Sequence, residues 1–333
     1  MIEHRLWLPV CAAADLVAGA VVAIRVLGRD IALWRTAEGH LAAAPDRCPH
    51  RGTPLSLGCV QGESLVCAYH GWHFGPTGRC VRIPALPAVR PGTRQALATV
   101  DVGERHGMIW VRLGPAHEAD LLAQPPAFEG PDGPGISRLL CGPYDVATSA
   151  PRVIENFLDL AHFGFVHPGT LGDPAQPQIP DYQVAGGLAT QGLQAEGCQA
   201  WQPRSNLLAE SGAMVRYRYS VPAPFSAVLA KCPEGWDSHQ ESIALFTLPM
   251  EPTRTRVWFL VAMSAAGRSD AQIRAFQDVI FEQDRRILEA QRPACLPLDP
   301  ALEVSCAADR LSLAYRLYLR TLGIGFGVEP VRG

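Results

Sequence analysis

The chain has 333 residues, a net charge of −3 and no strongly basic segment, so it has room for two domains and no signature of a nucleic-acid partner. Its longest apolar stretch near the start, Leu16 to Ile24, is too short to span a bilayer and lacks the flanks of a secretion signal, which sets the expectation of a soluble, cytoplasmic protein. Ten cysteines in a reducing compartment point to metal before they point to crosslinks.

Up to about residue 113 short strands alternate with turns. Val21–Val26, Ile31–Arg35, Val81–Ile83 and Met108–Leu113 are rich in β-branched and aromatic residues and are separated by Gly, Pro and Asp. Gln124 to Gly135 (QPPAFEGPDGPG) reads as a linker or long surface loop. A helix is expected over Ile154–Phe165, stopped by Pro168 and Gly169. Strands return between Met214 and Met263, where Val215, Tyr217, Tyr219 and Val221 alternate with Arg216, Arg218 and Ser220, the pattern of a half-buried antiparallel strand. A long helix is expected from about Ala271, with Asp270 as N-cap, to Gln291, and a second from about Ala307 to Leu322, stopped by Gly323. Two β-rich regions with helices at the ends make an α+β architecture.

Inside the first region stands Cys48-Pro49-His50, and sixteen residues later Cys67-Ala68-Tyr69-His70. Two thiolates on one ferric ion and two imidazoles on the other make a Rieske 2Fe–2S cluster, the imidazoles raising its reduction potential. Gly52, Pro54, Gly71 and Gly75 place both half-motifs in loops. A Cys₂His₂ zinc site is the plainer alternative, but such sites usually pair Cys with Cys and His with His. The remaining cysteines (Cys11, Cys59, Cys80, Cys141, Cys198, Cys232, Cys295, Cys306) show no ligand spacing and read as small apolar residues.

The second constellation is ENFLDLAHFGFVHP, with His162 and His167. Two histidines and one carboxylate on one face of Fe(II), with the other positions open, form the arrangement that activates O₂. Residues five apart are about 140° apart on an unbroken helix, so a shared metal requires the helix to loosen or end between them, which Gly164 and Pro168 permit. The carboxylate must come from elsewhere. On the helix from Ala271, the residues Ile273, Phe276, Ile280, Ile287 and Leu288 form an apolar stripe, and Asp284 falls in its middle. A buried carboxylate needs a cation, either an iron or one of the many arginines. The two histidines could also be ordinary interior residues.

CPHRGTPLSLG and CAYHGWHFGPTG resemble the Rieske domain of ring-hydroxylating and demethylating oxygenases. The disulfide cysteines of quinol-oxidising Rieske proteins would fall at Thr53 and Tyr69, which excludes that relative. ENFLDLAHFGFVHPGTLGD, IFEQDRRILEAQ and DRLSLAYRLYLRTLG are similar to the catalytic domain of a subgroup of these oxygenases that contains vanillate and dicamba O-demethylases, toluenesulfonate methyl-monooxygenase, methylxanthine N-demethylases and saxitoxin-pathway hydroxylases. The resemblance implies a Rieske domain (1–115) followed by a helix-grip catalytic domain (116–333) whose antiparallel sheet wraps a long C-terminal helix. It implies that Cys48, His50, Cys67 and His70 bind the cluster and that His162, His167 and Asp284 bind the mononuclear iron. Asn156 matches a residue near the iron, and Asp159 a carboxylate that bridges the two centres, accepting from His70 of a neighbouring subunit in a head-to-tail homotrimer. For Asp159 the residues themselves leave a simpler role open, that of orienting His162.

The resemblance further implies a monooxygenase that takes electrons from a separate NAD(P)H-dependent reductase. The chain carries no Rossmann G-x-G-x-x-G and no flavin motif of its own. The expected reaction is oxidative demethylation or methyl hydroxylation of a small aromatic or heterocyclic compound. Hydroxylation of a specialised metabolite is the second reading, and a non-enzymatic Rieske electron carrier the reading from another class. Between about Thr170 and Thr255 no residue can be carried over, so the substrate is not specified.

Overall fold

The computed structural model describes residues 2–115, 117, 122–128, 130–187, 192–203, 211–233, 241–264 and 267–331. Glu129 of the expected linker and the side chain of Cys232 lie outside the described residues. The chain separates into two compact units, Glu3–Pro125 and Pro126–Gly333, the latter joined by the first residues.

The first unit is built from short antiparallel strands. Val21–Val26, Arg29–Arg35 and Leu41–Pro45 form one three-stranded sheet. The turn between its first two strands places Leu27 and Gly28 both at positive φ, as a two-residue hairpin whose twist matches its strands requires. Cys59–Gln61, Ser64–Val66, His73–Phe74 and Cys80–Arg82 form a four-stranded sheet. The third sheet joins Leu8–Ala12 and Asp101–Arg105 on either side of Met108–Arg112. Trp34, Leu55, Leu65 and Phe74 are fully buried in one core, and Cys48 and Cys67 belong to that same core.

The second unit is dominated by a seven-stranded antiparallel sheet. Its strands are β1 (Ile136–Val146), β2 (Gln183–Gly186), β3 (Leu193–Gln202), β4 (Ala213–Ala223), β5 (Ser226–Pro233), β6 (Glu241–Glu251) and β7 (Arg254–Ser264). Their order across the sheet is β1-β7-β6-β5-β4-β3-β2. The alternation on β4 is as expected: Val215, Tyr217, Tyr219 and Val221 are buried, and Arg216 and Arg218 face outward. The helices are α1 (Ala150–Leu158), α2 (Phe163–Val166), α3 (Asp270–Leu288) and α4 (Arg310–Leu322). Arg316 of α4 forks onto Glu155 of α1 at 2.6 and 2.9 Å and pins the two helices together.

Two helix expectations need correction. The helix expected over Ile154–Phe165 begins four residues earlier, because the Ser149 hydroxyl caps it by accepting from the Arg152 N–H and Pro151 fits its first turn. It also stops at Leu158: Asp159 is extended (φ −88°, ψ 127°), and its carboxylate takes the Ala161 N–H at 2.8 Å in a local turn. The cap of α3 is Ser269, not Asp270. The Ser269 hydroxyl accepts from the Gln272 N–H at 3.3 Å while the Gln272 side chain accepts from the Ser269 N–H at 2.9 Å, and the helix closes at Leu288, short of Gln291.

The buried stripe of α3 is Ile273, Gln277, Ile280, Phe281 and Leu288. Phe276 and Ile287, expected in the stripe, are 38% and 46% exposed at its edges. Cys80, Cys141 and Cys198 are buried, in keeping with an apolar role, whereas Cys59 and Cys306 are exposed and cannot serve as core filler.

Candidate active site

Two loops of the first unit repeat one backbone device. The Cys48 N–H donates to the Thr53 carbonyl at 2.8 Å and the Gly52 N–H donates back to the Cys48 carbonyl at 2.9 Å. In the second loop the Cys67 N–H donates to the Trp72 carbonyl and the Gly71 N–H to the Cys67 carbonyl, both at 2.9 Å. Each turn closes through a left-handed residue, Gly52 (φ +74°) and Gly71 (φ +66°), a conformation that glycine adopts without steric cost.

The loops bring two buried thiols and two exposed imidazoles to one place. The His50 and His70 rings lie 4.4 Å apart, edge to face, and the Trp72 indole stacks on His50 at 4.7 Å. Cys48 and Cys67 are not disulfide-bonded. Burial, together with the Cys67 thiol beside it, pushes the Cys48 thiol up to about 11. Buried thiols need a strong cation to ionise. Local desolvation and the neighbouring His70 and Arg51 hold His50 below its ordinary value, which keeps its imidazole neutral and able to ligate. The donor set fits a cluster held by sulfur on one side and nitrogen on the other.

In the second unit His162 and His167 flank a short helix of their own, separate from α1. His162 is the N-cap of α2 and His167 its C-cap, so the two rings leave opposite ends of a single helical turn, with centroids 5.2 Å apart. The helix ends at Val166, and His167 is already out of helical conformation (φ −119°, ψ 48°) just ahead of Pro168, so the break expected between the histidines falls at this end and not at Gly164. Asp284 reaches in from α3. Its Oδ1 lies 3.4 Å from His162 Nε2 and 3.1 Å from His167 Nε2. Ligands at right angles around an ion with bonds of about 2.1 Å stand about 3 Å apart, so both carboxylate–imidazole separations are short enough for a shared ion. The three ligand atoms all lie within 4.8 Å of one another, which makes the cluster one that could hold a metal.

Burial disfavours ionised Asp284, yet the two imidazoles outweigh it and hold its carboxyl below the usual range. Burial likewise pulls His162 down, but Asp159 and Asp284 offset it and push it up to about 9. His167 Nδ1 pairs with the Gln283 side-chain carbonyl at 2.8 Å, which turns its Nε2 toward Asp284. Asn156 of α1 donates to Asp284 Oδ1 at 3.4 Å. Asp159 Oδ2 is 3.3 Å from His162 Nδ1, but outside hydrogen-bond geometry, so His162 Nδ1 is buried without a bonded partner.

His162, His167 and Asp284 line a pocket with a free volume of about 110 Å³. Its walls are largely apolar, with Phe157, Phe163, Phe259, Phe281 and Ile273 among them. Every site residue expected from the sequence thus falls in one of two clusters: Cys48, His50, Cys67 and His70 in the first unit, and Asn156, Asp159, His162, His167 and Asp284 in the second. Sequence reasoning missed Gln283, although it adjoins Asp284. It also missed the wall contributed by Gln202, Tyr217, Lys231 and Glu241, which only the strand register assembles.

Comparison with known proteins follows this geometry. Residues 6–100 match the Rieske [2Fe-2S] domain model, and residues 146–323 match the vanillate O-demethylase oxygenase C-terminal domain model. The chain is 29% identical to methylxanthine N1-demethylase NdmA of Pseudomonas putida, over 96% of this chain and 89% of that one. It is 32% identical to a vanillate O-demethylase oxygenase subunit of Pseudomonas sp. (strain ATCC 19151), over 83% of this chain and 89% of that one. The solved structure of NdmA from Pseudomonas putida CBB5 with caffeine superposes with a TM-score of 0.81 at 28% identity, covering 96% of this chain and 90% of the other. Dicamba monooxygenase with non-heme iron and dicamba, at 20% identity, shares the fold with a TM-score of 0.71, over 97% of each chain.

Proposed function

The chain belongs to the Rieske oxygenases of the vanillate O-demethylase type, and we propose that it removes an N- or O-methyl group from a small aromatic or heterocyclic compound by hydroxylating it. Its cofactors are a Rieske 2Fe–2S cluster and a mononuclear non-haem iron. When bound, the cluster supplies electrons from a separate NAD(P)H-dependent reductase and the iron activates O₂, one atom of which enters a substrate C–H bond while the other leaves as water. A hydroxylated N- or O-methyl group is a hemiaminal or hemiacetal, which releases formaldehyde. A methyl group on carbon would give a stable alcohol instead.

In this reading Cys48, His50, Cys67 and His70 hold the cluster, and His162, His167 and Asp284 hold the iron. Gln283 fixes the ring of His167, and Asn156 steadies the Asp284 carboxylate. Asp159 accepts from His70 of the neighbouring subunit in a homotrimer, connecting cluster to iron. Among the described residues no helix is long and apolar enough to cross a membrane, and the reading places the enzyme free in the cytoplasm.

The observation that carries the proposal is the apolar, aromatic-walled pocket that the two histidines and Asp284 also line. An electron carrier has no use for such a pocket. The test is iron content together with product. The oxygenase holds about three irons per chain, two in the cluster and one alone, and a carrier about two. With a surrogate reductase, NADH and a panel of N- and O-methylated aromatics, formaldehyde is the expected product. Two irons per chain, or alcohols without formaldehyde across the panel, would overturn the demethylase reading.

A further inference from the structure

The sheet wall of the pocket carries one polar side chain whose hydrogen bonding is left half complete. Along β3 the buried positions run Leu193, Ala195, Cys198, Ala200 and Gln202, so the inward face is apolar until its last member. Gln202 is 1% exposed and lines the cavity. Its Nε2 donates to the Tyr217 hydroxyl of the adjacent strand β4 at 2.6 Å. Its Oε1 is buried and has no bonding partner among the described residues. One end of the amide is held, and the other is left open in the wall of the cavity.

We propose that Gln202 determines substrate specificity: its free carbonyl takes a hydrogen bond from an N–H or O–H on the substrate ring, and Tyr217 positions it by holding the amide nitrogen. The inference rests on the demethylase reading and narrows its substrate class to methylated rings that keep such a donor.

The balance of hydrogen bonds supports it. An amide carbonyl has two acceptor sites, and burying it without a partner is unfavourable. Cavity water can satisfy it before substrate enters, but a ring that fills the pocket expels that water. The substrate then either supplies a donor or leaves the carbonyl bare. A site built to bond a substrate N–H or O–H rejects the analogue that lacks it far more strongly than an apolar wall rejects an extra methyl group. Methylating the donor here does both: it removes the hydrogen bond and sets a methyl group against the carbonyl. A purely structural glutamine would use both ends of its amide, and Gln202 uses only Nε2. In a cavity walled by Phe157, Phe163, Phe259 and Phe281, one such polar contact also fixes which way round a flat ring lies, and so which of its methyl groups is presented for reaction.

The test uses enzyme carrying both metals and two matched pairs of probes. 1-Methyluracil has a ring N–H that 1,3-dimethyluracil lacks, and 2-methoxyphenol has an O–H that 1,2-dimethoxybenzene lacks. Calorimetric titration of wild type should show the donor-bearing member of at least one pair binding about tenfold or more tighter than its partner. The pair in which this ratio appears tells an N–H donor from an O–H donor. Gln202→Leu removes the carbonyl at similar volume and should bring the ratio to within about twofold of unity. Tyr217→Phe releases Nε2 and should narrow the ratio about threefold. Because it removes a single oxygen, Tyr217→Phe still decides the matter if Gln202→Leu fails to fold. A wild-type ratio near unity in both pairs, tighter binding of the methyl-blocked members, no binding of any of the four, or an unchanged ratio in either variant would overturn the inference. An equal loss for both members of a pair leaves the ratio unchanged, so a mere packing defect is counted against the proposal. Formaldehyde assays on the same samples separate the two claims. The expected ratios without formaldehyde would sink demethylation and leave the role of Gln202 standing, and formaldehyde with equal affinities would do the reverse.

Discussion

The two candidate metal centres are built by opposite strategies. In the first unit each half of the cluster site is a short loop that positions itself: the Cys carbonyl accepts from a glycine four residues on, and the Cys N–H donates one residue beyond that. In the second unit no short segment suffices. His162 and His167 sit at the two ends of α2, and Gln283, the partner of His167, is 116 positions further along the chain. The first design confines its geometry to local turns. The second makes its geometry depend on how α3 packs across the sheet, and in return opens a cavity between the helix and the strands.

The largest expected effect tests whether the two centres are independent. Asp284→Ala removes the one anionic donor and leaves two imidazoles, which hold Fe(II) weakly. The expected outcome is loss of oxygenation and of the mononuclear iron, with the reduced cluster retaining a Rieske-type electron paramagnetic resonance signal. Loss of that signal as well would mean that the first site leans on the second, and would break the comparison.

That asymmetry also governs what could be read from the amino-acid sequence. The cluster loops were legible because ligand, glycine and turn all lie within a few residues. The pairing of His162 and His167 with Asp284 was legible as well, Asp284 because a carboxylate stands out on an apolar helix face. The stripe itself was drawn slightly off. Phe276 and Ile287 look apolar enough to be core but sit at its edges, and the polar Gln277 is buried in their place. The end of α1 was missed because nothing in the composition of Leu158-Asp159-Leu160 disfavours a helix; the Asp159 side chain stops it by accepting from the Ala161 backbone N–H. The Gln202–Tyr217 pair was out of reach, since a one-residue slip in register would turn those side chains to the other face.

Asp159→Asn addresses the link between the centres. The asparagine oxygen can still accept from the Ala161 N–H, so the turn before His162 should survive. If Asp159 connects cluster to iron, the variant should keep both metals and a reducible cluster but transfer electrons very slowly on mixing pre-reduced enzyme with O₂ and substrate. Wild-type cluster reoxidation in a fully iron-loaded variant would rule out the bridging role. Partial iron loss with a modest fall in rate would assign Asp159 to orienting His162 instead.

Gln283→Leu is the next step down. It keeps the helix and the approximate volume but removes the acceptor that holds the His167 ring. Loss of such a partner typically weakens metal binding by about 10–100-fold. Iron retention during chelator dialysis should fall by that order, while the cluster absorbance stays constant. Iron retention equal to wild type would show that packing alone orients His167, and that the second site is less dependent on long-range contacts than the comparison holds.

The smallest effects come from two glycines that serve different needs. Gly52 lies at φ +74°, and a methyl group there would meet only the flexible end of Arg47, at 3.3 Å. Its requirement is conformational, so Gly52→Ala should cost about 1–2 kcal/mol, the usual penalty for a side chain in the left-handed region. That corresponds to roughly 2–4 °C in the midpoint for each kcal/mol, read as thermal loss of the cluster absorbance, with the room-temperature spectrum unchanged. Gly164 in α2 has no positive φ, but an added methyl group would come within 3.0 Å of the Asp173 carbonyl oxygen, part of a backbone that cannot swing aside as Arg47 can. Its requirement is spatial and lies in the one turn that separates His162 from His167. Gly164→Ala should therefore leave the cluster midpoint at the wild-type value and lower iron occupancy instead. If Gly164→Ala shifts the cluster midpoint and Gly52→Ala depletes the mononuclear iron, the division into a locally held site and a packing-held site is wrong at its most basic level.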